Sequence, residues 1–184
     1  MNLEITRIDR DMIERAAELL KACKDRSLMV TCAESCTGGL LAGVLTDAPG
    51  SSAVFEGGFV TYSNRAKATL INVPQELLDS HGAVSEQVAR AMAEGALGRL
   101  PVELSVSITG IAGPDGGSPE KPVGLVHFAA AATGHATVHV EKRFGDIGRA
   151  GIRRGSVLQA IDMLEGMARK FPIKPKRNGS EEVR

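Results

Sequence analysis

Met12, Ile13, Ala16, Leu19, Leu20 and Cys23 recur at helical spacing, which predicts an amphipathic helix over about residues 9–25. The pattern then tightens. "SLMVTC", Ser27 to Cys32, is a short apolar run of the kind a buried strand needs. "GLLAGVLTD" has helical composition, predicts a helix starting near Thr37–Gly38, and is stopped by "APGSS". "VFEGGFVTYS", Val54 to Ser63, has strand character, with Gly57 and Gly58 marking a bulge or a close backbone approach. "NRAKATLIN" predicts a short helix opened by Asn64.

The second half continues the alternation. "VPQELLDSHG" predicts a short helical turn with Pro74 near its first position, and "SEQVARAMAEGALGRL" a longer helix capped by Ser85. "ELSVSIT", Glu103 to Thr109, predicts a strand, followed by a loop rich in glycine and proline. "VGLVHFAAAAT" and "ATVHVEKRF" flank Gly134-His135 as a hairpin would. Ile152, Ala160, Ile161, Leu164 and Met167 make one helical stripe between about Arg149 and Lys170. Strands alternating with helices, plus one hairpin, predict a three-layer α/β/α sandwich on a mixed, mainly parallel sheet. A single domain over 1–172 is expected, with 173–184 as a tail that has little to bury.

Composition narrows the function classes. The 184 residues carry 22 basic and 22 acidic side chains, so no net field recruits nucleic acid or an anionic membrane. With one Tyr, five Phe and no Trp, a base-stacking platform is not expected. No apolar run approaches the ~18 residues of a membrane span, and the charged N-terminus lacks an apolar signal core. Three cysteines, Cys23, Cys32 and Cys36, are odd in number and not spaced as a CxxC pair. This argues against a disulfide framework or structural zinc and for a reducing cytoplasm.

Three polar segments follow predicted strands, where ligands gather in open α/β sheets. In "AESCTGG", Ser35 precedes a predicted helix start whose first N–H groups suit an oxyanion or a phosphate. Ser35 can attack a carbonyl there, and Gly38 and Gly39 leave room for substrate. Ser35 or Thr37 acting only as a helix cap explains the same residues, and Cys36 is a rival nucleophile. In "TYSNRAK", Lys67 is the candidate base, its pKa lowered by burial or a neighbouring cation, and Tyr62 a relay or orienting group. A solvated lysine and a turn made by Ser63 and Asn64 are the plain alternative. His81, His127, His135 and His139 form no assignable base pair with an acid. The third segment offers Thr109, Gly110, Ala112, Gly113, Gly116 and Gly117 as a backbone wrap for a phosphate or ribose, with Asp115 and Lys121 nearby. It is not a P-loop. Arg149 and Arg153, four apart near a helix start, can grip one anion or serve solubility.

Together, "TCAESCTGG", "GGFVTYSNRAK", "HGAVSEQVA" and "SITGIAGPDGGSPEKPVG" resemble the competence/damage-inducible CinA C-terminal family, in order from about residue 9 to 170. Its enzymatic members are nicotinamide-nucleotide amidohydrolases. The resemblance implies an amidase needing no metal or cofactor, converting nicotinamide mononucleotide and water to nicotinate mononucleotide and ammonia in NAD recycling. Ser35 would be the nucleophile, Lys67 and Tyr62 its activators, and the N–H groups near Cys36–Gly38 the oxyanion donors. Glu34 would lie near the pyridinium ring or serve as a structural acceptor. Asn64, Thr109, Gly110, Ala112, Gly113, Gly116, Gly117, Arg149 and Arg153 would lie near the nucleotide. A homo-oligomer is implied, with no nucleic-acid or membrane partner. Where many relatives carry Gly-Asp-Arg, this chain has "GDIGR", which leaves Arg149 as the candidate replacement. The further N-terminal domain of longer relatives has no counterpart here, so a pyrophosphatase activity housed there is expected to be missing. A non-catalytic nucleotide-binding or regulatory module, or an amidase or esterase of another small substrate, are the competing readings.

Overall fold

The computed structural model describes residues 6–174. Its elements are α1 (Arg10–Lys24), β1 (Val30–Glu34), α2 (Leu40–Asp47), β2 (Phe55–Val60), α3 (Asn64–Ile71), α4 (Gln75–His81), α5 (Glu86–Leu97), β3 (Leu104–Gly110), β4 (Leu125–Ala132), β5 (His135–Arg143) and α6 (Gly148–Ala168). The strands form one sheet in the order β2-β1-β3-β4-β5. β1 pairs in parallel with β2 and β3, and the β3–β4 and β4–β5 pairs are antiparallel. Four strands therefore point one way and β4 alone runs against them. The sheet is mixed, with parallel strands in the majority.

Alternation along the strands builds two cores. Val30, Cys32, Leu104, Val106, Ile108, Phe128 and Ala130 face α1, α2 and α6, whose Leu19, Leu41, Ile161 and Leu164 are fully buried against them. Each such aliphatic side chain contributes roughly 1.5–3 kcal/mol. Ala33, Ala129 and Ala131 face the opposite layer of α3, α4 and α5. On that face β3 also carries three hydroxyls in alternate positions. Ser105 donates to Ala93 O, Ser107 to Ala89 O at 2.6 Å and Thr109 to Ala83 O at 2.7 Å. A buried hydroxyl is tolerated when it is bonded. These three tie α5, and the turn before it, to the sheet.

Most boundaries fall within a residue or two of expectation. Shifts of up to three residues occur at the first strand, which runs from Val30 to Glu34 rather than from Ser27 to Cys32, at the helix after it, at the end of β2, which stops at Val60 and not Ser63, and at the end of α5, which stops at Leu97 and not Leu100. Arg26 and Ser27 close a turn onto Cys23 and Lys24, and Ser27 takes φ 54°, which no strand accommodates. The expected irregularity at Gly57 exists: the β1–β2 register slips between Val30↔Phe55 and Thr31↔Gly57. Gly58 is required there, because a Cβ would sit 2.8 Å from the Cys32 sulfur. Residues 175–184 of the expected tail lie outside the described residues.

Candidate active site

The chain leaves β1 at Glu34 and turns sharply. Ser35 N–H donates across to Ile108 O of β3 at 2.9 Å, and Gly38 N–H closes back on Ser35 O at 3.1 Å. Gly38 and Gly39 take φ of +59° and +92°, which an α-helix excludes. α2 therefore starts at Leu40, later than the Thr37–Gly38 start that composition predicts.

The N-terminus of α2 is already occupied. Glu34, 1% exposed, accepts Gly39 N–H and Leu41 N–H on Oε2, each at 3.1 Å, and Ala42 N–H on Oε1 at 2.9 Å. The Cys32 thiol lies 3.7 Å from Oε1. Helix N–H groups without internal partners favour an anion, and a carboxylate from the preceding strand supplies it. The amides of Cys36 and Thr37 donate to no other residue among those described.

Lys67 enters from the other side of β1. α3 is capped by Ser63, whose hydroxyl accepts Ala66 N–H at 3.1 Å, and not by Asn64, which is the first helical residue. The cap sets Lys67 in the first turns of α3, with its stem buried and 1% of its surface exposed. Its Nζ donates to Thr61 O at 2.8 Å and to Ser35 Oγ at 3.0 Å. Thr61 is held in turn: its N–H donates to Glu34 O at 2.8 Å. Loss of hydration on burial pulls the Lys67 pKa down to about 8, against a smaller upward pull from Cys36. Burial has the opposite sign on the neighbouring thiol and pushes Cys36 up to about 12. At neutral pH that thiol stays protonated.

Ser35 and Lys67 lie on the wall of a cavity of about 300 Å³, together with Cys36 and Tyr62. The glycine-rich loop supplies Thr109, Gly110, Ala112, Gly113, Asp115 and Gly116, and α6 supplies Arg149. Arg149 is anchored by a 2.8 Å bond from Nη1 to Gly113 O. Tyr62 is 64% exposed at the mouth. The cavity also takes in Ala83, Val84 and Ile111, which the segment-by-segment reading did not select. Gly82 at φ +72° ends α4 and Ser85 caps α5, so the short turn between two helices is turned into the wall. The motif "HGAVSEQVA" was its signal.

Other expected site residues lie off this wall. Glu34 and Thr37 are buried behind it, while Gly38, Asn64 and Gly117 do not reach it. Arg149 and Arg153 do not share an anion. Arg153 turns away and donates from Nη2 to Thr37 O at 2.7 Å and from Nη1 to Thr6 Oγ1 at 3.2 Å. Thr37 Oγ1 and Arg153 Nε are buried without a protein partner. None of the four histidines lines the cavity. His127 and His139 pair with each other at 3.0 Å between β4 and β5. Among the described residues, no three His, Cys, Asp or Glu side chains are arranged to hold a metal ion.

The model of the CinA C-terminal domain matches residues 12–168. Nicotinamide-nucleotide amidohydrolase PncC of Escherichia coli (strain K12) is 51% identical over 157 residues, 85% of this chain and 94% of that protein. A competence-damage inducible relative from Symbiobacterium thermophilum is 48% identical over 163 residues, and there the match spans 38% of that longer protein. Among solved structures, the competence/damage inducible protein CihA of Agrobacterium tumefaciens superposes with a TM-score of 0.85 at 49% identity, covering 89% of this chain and 99% of that one.

Proposed function

Because this chain belongs to the CinA C-terminal domain family, we propose that it hydrolyses the carboxamide of nicotinamide mononucleotide, releasing ammonia and nicotinate mononucleotide. The observation that carries this reading is the 3.0 Å contact between a buried amine of lowered pKa and a hydroxyl on the wall of one cavity. A serine hydroxyl is a weak nucleophile until a base takes its proton. With a pKa of about 8, roughly one Lys67 in ten is neutral at pH 7. In that form Thr61 O holds one Nζ hydrogen and the lone pair is left for Ser35.

The steps balance as follows. Lys67 takes the Ser35 proton as Oγ attacks the carboxamide carbon. Charge moves to the carbonyl oxygen, which accepts from the amides of Cys36 and Thr37. Donors aimed at such an oxygen are worth ~3–4 kcal/mol each. Protonated Lys67 then gives its proton to the amide nitrogen as the C–N bond breaks, and ammonia leaves. Water attacks the resulting ester, Lys67 accepts the water's proton, and that proton returns to Ser35 as the C–O bond opens.

The direct Lys67–Ser35 contact makes a relay through Tyr62 unnecessary. Tyr62 at the mouth is assigned to substrate orientation. Arg149 is the cation on the wall opposite in charge to the nucleotide's phosphate, and the glycine-rich loop wraps the ribose-phosphate end. Ammonia release from nicotinamide, its riboside and its mononucleotide, measured side by side, tests this reading. Turnover strongest with the mononucleotide is expected. Equal rates on all three would point to a general small-amide hydrolase. Binding of the mononucleotide without ammonia would point to a binding module.

A further inference from the structure

Two charged side chains grip the nucleophile turn from outside the cavity. Glu34 holds the N–H groups of Gly39, Leu41 and Ala42. Arg153, reaching from α6, holds the carbonyl of Thr37. Between these two grips lie the only residues of the turn whose amides donate to no other described residue, Cys36 and Thr37. We infer that Glu34 and Arg153 are positioning residues that aim the Cys36 and Thr37 amides at the developing oxyanion. The inference rests on the amidohydrolase reading above and adds to it the means by which the oxyanion donors are fixed.

The geometry supports it in three ways. First, the first turn of a helix after a nucleophile is itself an anion site. The Glu34 carboxylate fills the site at α2, so the substrate's negative oxygen is left to the two amides before it. Second, a trans peptide points its N–H opposite to its C=O. Ser35 O is turned onto Gly38 N–H, so the Cys36 N–H is turned the other way, out of the loop's own bonding. Third, the Arg153–Thr37 bond fixes the Thr37–Gly38 peptide, and the positive φ of Gly38 and Gly39 needs such restraint to stay in one conformation. Both Glu34 oxygens are spent on the three N–H groups of α2, and the Arg153 Nη atoms on Thr37 O and Thr6 Oγ1, so each side chain acts on the reacting atoms through the turn.

Glu34→Gln keeps the size of the side chain but replaces one acceptor oxygen by a donor. It cannot serve all three N–H groups. The expected result is a kcat lower by about 100-fold, with the KM for nicotinamide mononucleotide within about twofold of the parent. The pH midpoint set by Lys67 stays near 8. Arg153→Gln is the second variant and carries the same signature, with Arg153→Lys recovering part of the loss through an ammonium N–H donated to Thr37 O. A binding readout separates aim from general damage. The 3-formyl analogue of the mononucleotide forms a Ser35 hemiacetal that bears the oxyanion, whereas nicotinate mononucleotide does not. The variants are expected to lose about 100-fold in affinity for the aldehyde and to keep that for the product. Folded variants with parental kcat and aldehyde affinity, or with both ligands weakened equally, overturn the inference. A parent protein that releases no ammonia overturns the amidohydrolase reading instead.

Discussion

Lys67 Nζ stands 3.0 Å from Ser35 Oγ, although 32 residues separate the two along the chain. The sheet creates the contact. β1 and β2 are parallel neighbours, so the residues that follow each strand emerge at the same edge. Ser35 follows one and the Tyr62–Lys67 segment follows the other. The Ser63 cap then sets the rotation of α3 that sends the lysine inward.

The pH dependence should follow that lysine. In the proposed mechanism the neutral amine is the active form, so activity is expected to rise as pH increases through the folded pKa. Turnover on nicotinamide mononucleotide is expected to climb about tenfold per pH unit below about 7, bend near 8 and level off above 9. A rate that falls across this range would contradict Lys67 as the base.

Burying the amine also has a cost in stability. Its folded pKa lies below the unfolded value, so the unfolded chain binds more protons between about 8 and 10.5, and stability rises with pH across that window. The difference amounts to about 3 kcal/mol at pH 7, partly offset by about 1–3 kcal/mol from the bond to Thr61 O. Lys67→Met should abolish ammonia release while leaving the thermal midpoint at pH 7 equal to or above that of the parent. Thermal unfolding beside the turnover assay checks both halves, and a midpoint several degrees lower would count against the burial cost.

Arg149 and Arg153 read alike in sequence and differ in the fold. Arg149→Met is expected to raise the KM for the mononucleotide by about 10- to 100-fold, the loss of a charge-assisted contact, and to leave turnover of the riboside nearly unchanged. Steady-state kinetics on the two substrates decide this. An equal effect on both would place the phosphate elsewhere.

What the sequence disclosed depended on how local the cause was. Helical stripes such as Met12–Cys23 and the Gly134 hairpin depend on neighbours in sequence, and they appear where periodicity places them. The candidate nucleophile and base were legible because each sits in a dense polar segment after a strand. Glu34 was legible as a structural acceptor, one of its two readings, and it accepts from Gly39, Leu41 and Ala42 N–H; which groups of the turn Glu34 and Arg153 hold was not legible. Their partners are main-chain groups, which carry no sequence signal, and in the case of Arg153 they lie 116 residues away. The start of α2 was missed because glycine permits a positive φ without announcing it.

Gly95 shows the same limit inside a helix. A Cβ there would stand 1.9 Å from Ile71 O, where α3 and α5 cross. Helix propensity favours Gly95→Ala by about 1 kcal/mol, whereas the clash with backbone costs about 1–3 kcal/mol or more. The clash should win, giving net destabilisation in denaturant unfolding. A stabilised variant would mean that the two helices separate more easily than their packing implies.

The most direct test compares ammonia release from nicotinamide mononucleotide by the parent chain and by Ser35→Ala at matched concentration, with circular dichroism to confirm the fold. Ammonia in proportion to parent enzyme, with a loss of at least about 1,000-fold in the folded variant, is the predicted result. Parental turnover by a folded Ser35→Ala would contradict the serine–lysine amidohydrolase.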